Sequence, residues 1–74
     1  MAQQRVTITT EFIRLDSLLK LAGAVGTGGQ AKLVILDGLV KVNGEVCLMR
    51  GKKLFDGDEA EYDGERITVA VRED

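Results

Sequence analysis

Residues 26–32, GTGGQAK, collect the groups best able to hold an anion: three glycines, the Thr27 hydroxyl, the Gln30 amide and the Lys32 ammonium. Gly26, Gly28 and Ala31 match the G-x-G-x-x-G/A spacing that brings a dinucleotide's pyrophosphate against the backbone. That chemistry requires a strand before the glycines and a helix after them, inside a parallel βαβ unit. Here the residues before Gly26 carry a helical period, and those after Gly38 read as a hairpin. A P-loop is excluded as well, because no glycine-lysine-hydroxyl triplet occurs. The glycines read instead as a compact connection between two helices. Backbone N–H groups at the start of the second helix lack intrahelical partners and attract anions, and Lys32 stands about a turn away.

Other chemistry finds little support. The chain has no histidine, so neither a Ser-His nor a Cys-His pair can form. Cys47 lies in a strand pattern and reads as a small core residue. The carboxylates of residues 56–65 alternate or sit in turns, which suits a solvated face better than an acid–base dyad. No metal-ligand spacing is present, so no catalytic residue, metal or cofactor is expected. Phe12, Phe55 and Tyr62 are the only aromatics; Phe12 and Phe55 are expected in the core rather than on a base-stacking platform.

The elements that would position these groups can be read from periodicity. RVTITT alternates as a short strand. Leu15, Leu18, Leu19 and Ala22 form one stripe of an amphipathic helix that Gly23 should stop. Asp16 and Lys20, four apart, could pair along it. Thr27 should cap a second helix with Ala31, Val34 and Ile35 inward, Lys32 toward solvent, and Gly38 as its left-handed terminator. Beyond Gly38 the texture is β: VKV, a type I′ turn at Asn43–Gly44, a return strand EVCLM, a basic connection RGKKL, then strands separated by Asp63–Gly64. The expected fold class is α+β, a helical pair on a small, mainly antiparallel sheet.

Length and charge set the remaining bounds. With 74 residues the chain suits one domain, residues 1–74, burying about 60% of its unfolded surface. The opening MAQQRVTITT has no apolar signal core and no run reaches a membrane span, so a soluble, cytoplasmic monomer is expected. A lone cysteine agrees with a reducing compartment. The net charge of −2 hides an asymmetry. Residues 1–53 carry eight basic and four acidic side chains, whereas residues 54–74 carry two and eight.

Three segments together resemble a known family. RLDSLLK (Arg14 to Lys20), TGGQAKLVILDGLVKVNGE (Thr27 to Glu45) and RGKKL…GD (Arg50 to Asp58) are similar to the RNA-binding domain first described in ribosomal small-subunit protein four, also called the αL motif. The resemblance covers about residues 12–62 and is strongest to the stand-alone bacterial, YbcJ-like members. It implies a non-enzymatic module that grips structured RNA, ribosomal or transfer RNA, through backbone phosphates. Carried over by position, the implied contacts are Arg14, Lys20, Gln30, Lys32, Lys41, Arg50, Lys52 and Lys53. Many members begin the second helix with serine and arginine, where this chain has Thr27 and Gly28.

Each candidate also has a simpler reading. Lys20 can be spent on Asp16, and Lys41 can pair across its hairpin with Glu45. Lys32 has no acid at helical spacing, which favours a functional role. Arg50, Lys52 and Lys53 crowd around Gly51, a bulge or close-approach position, with no acid before Asp56. Lysines there could merely blunt a strand edge. The alternative function is a small protein-interaction domain whose basic face docks an acidic partner.

Overall fold

The computed structural model describes residues 2–72. The chain runs β1 (Ala2–Ile8), β2 (Ile13–Arg14), α1 (Leu15–Leu21), α2 (Gly28–Leu36), β3 (Lys41–Val42), β4 (Glu45–Val46), β5 (Lys53–Leu54), β6 (Glu59–Tyr62) and β7 (Glu65–Val71). Both helices end as their sequences require. After α1, the Gly23 N–H donates to the Lys20 carbonyl (3.0 Å) and the Ala24 N–H to the Leu19 carbonyl (2.9 Å). After α2, Gly38 and Leu39 repeat the pattern onto Ile35 and Val34. These are Schellman closures, and each needs its glycine in the left-handed region, where both have φ +76°.

The main sheet has the order β1-β7-β6-β3-β4. Turns at Asn43–Gly44 and Asp63–Gly64 put two consecutive residues at positive φ, as tight hairpins demand. They hold β3–β4 and β6–β7 antiparallel, and β3–β6 is antiparallel too. The longest ladder is parallel: β1 lies along β7 with Val6 opposite Val69 and Ile8 opposite Val71. The first and last strands share no hairpin, so no turn imposes the antiparallel sense.

Three local expectations need correction. β1 spans residues 2–8 rather than 5–10, because β7 offers partners back to Glu65 opposite Ala2. EVCLM pairs as a strand only over Glu45–Val46. RGKKL is not simply a connection: Lys53–Leu54 form β5, which pairs antiparallel with β2 in a separate two-stranded sheet.

One face of the main sheet contributes Val6, Ile8, Val42, Ala60, Ile67 and Val69 to the core. The helices cover that face with Leu15, Leu18 and Leu19 from α1 and Ala31, Val34 and Ile35 from α2, the stripes read from the sequence. Leu54 of β5 is fully buried among them and fastens the small sheet to the helices. Fully burying such a leucine is worth about 1.5–3 kcal/mol. No helix among the described residues is long and apolar enough to cross a membrane.

Candidate nucleic-acid interface

The β2–β5 pair gathers cations that lie almost forty residues apart in sequence. Arg14 stands directly opposite Lys53. The Leu15 N–H donates to the Lys52 carbonyl (2.8 Å) and the Asp16 N–H to the Arg50 carbonyl (3.1 Å). Those bonds satisfy the first amides of α1 with carbonyls of the basic segment, so helix start and cationic loop are one unit. Gly51 lies beside the Arg14 side chain: a Cβ there would be 3.7 Å from a guanidinium nitrogen. That is ordinary contact distance to a flexible side chain, so no close approach demands a glycine at Gly51.

Arg14 is only partly committed inside the protein. Its Nη2 lies 3.1 Å from Asp16 Oδ2, and its side chain remains 51% exposed against 18% for Asp16. Arg50, Lys52 and Lys53 are exposed. One carboxylate thus stands among four cations. The expected Asp16–Lys20 pair does not form. Asp16 turns back to Arg14, and its Oδ1 accepts the Ser17 N–H at 2.8 Å. Lys20 is left exposed in the last turn of α1.

Thr27 caps α2 as expected, its Oγ1 accepting the Gln30 N–H at 3.1 Å. Gln30 answers: its Oε1 accepts the Gly26 N–H at 2.9 Å, a variant of the capping box. The Gln30 carbonyl oxygen is therefore used by its own helix, which turns the side-chain NH2 outward as a donor. No described hydrogen bond uses the N–H of Gly28 or Gly29. Lys32 is exposed on the same helix. The dinucleotide reading is closed, since α1 precedes the glycines and an antiparallel hairpin follows α2.

Lys41 stands apart from this group. Its neighbour Val42 faces the core, so Lys41 lies on the sheet face opposite the helices, paired in register with Glu61 and Val46. Glu45, its expected partner, is opposite Val42 instead. On that outer face Arg66 Nε sits 3.6 Å from Glu61 and 3.9 Å from Glu59.

The acidic segment is occupied with structure. Asp56 Oδ1 accepts the Val71 N–H (2.7 Å), and Asp58 Oδ2 accepts the Phe55 N–H (2.7 Å). Asp58 Oδ1 also takes an Asn43 side-chain N–H at 3.2 Å, while Asn43 Oδ1 accepts the Glu59 N–H at 3.0 Å. The VNG and GD pieces of the motif are therefore two halves of one hydrogen-bonded joint. Cys47 is half-buried against the core, near the small-residue role read for it.

The aromatics depart from expectation. Phe55 is 44% exposed, and its ring meets Phe12 with centroids 5.9 Å apart. Lys53 Nζ lies 4.7 Å from the Phe12 centroid. The signal was present in the sequence. Adjacent strand residues face opposite ways, so Leu54 and Phe55 cannot both enter the core.

Comparison with known proteins gives consistent matches. A family model described as S4 domain matches residues 6–70. A Bacillus subtilis (strain 168) protein named "Probable ribosome maturation protein RlbA" is 42% identical over 59 residues, 80% of this chain and 83% of the relative. YbcJ of Escherichia coli (strain K12) is 37% identical over 59 residues, 80% of this chain and 84% of its own. The solution structure of E. coli YbcJ, described as revealing an αL motif involved in RNA binding, superposes with a TM-score of 0.67 at 33% identity. It covers 95% of this chain and 87% of that one.

Proposed function

The chain belongs to the S4 domain family, and on that premise we propose that it is an RNA-binding domain gripping structured RNA through backbone phosphates. Ribosomal RNA is the first substrate to test, given the ribosome-maturation name of the B. subtilis relative. A monomer acting in the cytoplasm, where ribosomes are built, follows from that reading. The observation that carries it is the β2–β5 ribbon, where Arg14, Arg50, Lys52 and Lys53 are held together by backbone hydrogen bonds. The carboxylates of Asp58 and Asp56 each accept a backbone N–H, from Phe55 and from Val71 of β7. Lysine and arginine in such an array meet phosphates without reading bases. Lys20, Gln30 and Lys32, exposed on the two helices, would add their donors to that grip. Lys41 belongs to the opposite sheet face and contributes little.

The test compares charge reversals on the two faces. The double variant Arg50→Glu/Lys52→Glu should weaken binding of a ribosomal RNA fragment about tenfold or more in a filter-binding assay. Lys41→Glu should change it less than about twofold. Equal losses from both would mean that overall charge, and not the ribbon, sets affinity.

A further inference from the structure

Phe55 is a large aromatic side chain that the fold leaves open yet holds in place. Its N–H is fixed by Asp58 Oδ2 at 2.7 Å, and its ring leans on Phe12 at an interplanar angle of 51°. Phe12 is itself anchored, its carbonyl accepting the Thr10 hydroxyl at 2.8 Å. Lys53 covers the Phe12 ring and stands opposite Arg14, so the cationic ribbon begins where the aromatic pair ends. On its other side Phe55 borders an open cleft of about 790 Å³, lined also by Thr9, Thr10, Glu11, Asp56 and Arg72.

We infer that this cleft receives one unpaired nucleobase of the bound RNA, stacked on Phe55, while its flanking phosphates lie on the Arg14–Lys53 ribbon. Three physical points converge on it. An exposed aromatic ring that is already ordered stacks a base with little entropic cost, and such stacking tolerates any base. The Arg14–Lys53 ribbon adjoins the aromatic pair through Phe12, which gives the sugar-phosphate chain a cationic track beside the stacked base. The cleft itself carries Glu11 and Asp56 beside Arg72, and the carboxylates can accept the N–H groups of a base edge. The inference rests on the RNA-binding reading above and adds a preference for RNA with a loop or bulge over continuous duplex.

The experiment uses the whole chain, an RNA hairpin with 2-aminopurine at a loop position, and a blunt duplex with the same number of phosphates. The wild-type protein should quench the 2-aminopurine fluorescence. Phe55→Leu keeps an apolar side chain but removes the aromatic face. It should abolish the quench and lower loop affinity about 5- to 20-fold, with duplex affinity changed less than about twofold. Phe55→Tyr should retain both quench and affinity. If Phe55→Leu changes neither while Lys52→Glu still weakens both RNAs, the stacking site is refuted and the phosphate grip stands. Equal losses on loop and duplex from Phe55→Leu would also refute stacking, since the ring would then be only a structural support. Failure of the wild-type protein to bind either RNA would overturn both readings.

Discussion

At the scale of single residues, Gly28 separates what the fold requires from what a ligand would use. Gly23 and Gly38 are obligatory, because their φ of +76° strains any residue with a Cβ. Gly28 is different. It opens α2 at ordinary helical φ, and a Cβ there would meet nothing within 4 Å. Glycine in a helix costs about 0.5–1 kcal/mol relative to alanine, somewhat less at the first position. Gly28→Ala should therefore raise stability by a few tenths to about 1 kcal/mol, seen as a higher melting temperature by circular dichroism. Gly28→Arg supplies a cation at the start of α2. Its charge opposes the helix dipole by about 0.3–1 kcal/mol, offsetting the gain in propensity, so stability should hardly change. RNA affinity should rise, with the salt slope steeper by about 0.7–0.9 for one added phosphate contact. An unchanged slope would mean that RNA does not reach the start of α2. Much at this scale was legible in the sequence. The Thr27 cap and the two terminating glycines were, because each depends only on its own few neighbours. The partner of Asp16 was not, because helical spacing points to Lys20 and not to Arg14 just before the helix, whereas the exposure of Phe55 could have been read from its alternation with Leu54.

At the scale of elements, a hydrogen-bonded joint ties the β3–β4 turn to the β5–β6 turn that follows the ribbon. Asn43 sits at φ +51° and bonds through its side chain both to Asp58 and to the Glu59 N–H. Asn43→Ala removes two solvent-exposed hydrogen bonds, each worth about 0.5–1.5 kcal/mol, and leaves in the left-handed region a residue that tolerates it less well than asparagine. The expected loss is about 1–3 kcal/mol in urea unfolding. Asn43→Gly removes the same bonds but relaxes the backbone, and should cost less. Equal costs would show that the side-chain bonds alone matter. The helices and hairpins were legible here, since periodicity and turn chemistry are local. The β2–β5 pair was not, because two-residue strands carry no period. The parallel β1–β7 ladder escaped for a related reason: both segments read as strands, but nothing in either states its direction.

At the scale of the whole molecule, a chain of net charge −2 can bind a polyanion only if its charges are sorted, and the fold sorts them. Carboxylates from the acidic segment cap turns or flank Arg66 on the outer sheet face, while Arg14, Arg50, Lys52 and Lys53 share the ribbon. The net charge governs attraction at distances beyond a Debye length, whereas the ribbon acts at contact, where counterions are released from the RNA. Salt should therefore act chiefly through the number of phosphates touched. For about three to five contacts, the logarithm of affinity should fall against the logarithm of salt with a slope of roughly −2 to −4. Between 50 and 200 mM that amounts to a loss of about 15- to 250-fold. Lys32→Glu and Lys53→Glu should each make the slope shallower by about one phosphate, and Lys41→Glu should leave it unchanged. Lys32 stands on a helix whose first amides are open, whereas Lys53 is partly engaged with Phe12. Of the two, Lys32→Glu should cost more affinity. Titrations at four or more salt concentrations decide the matter. A greater loss from Lys53→Glu would mean that the contact with Phe12 leaves the Lys53 charge fully available to phosphate. A slope near zero for the wild-type protein would remove phosphate contact as the basis of binding altogether.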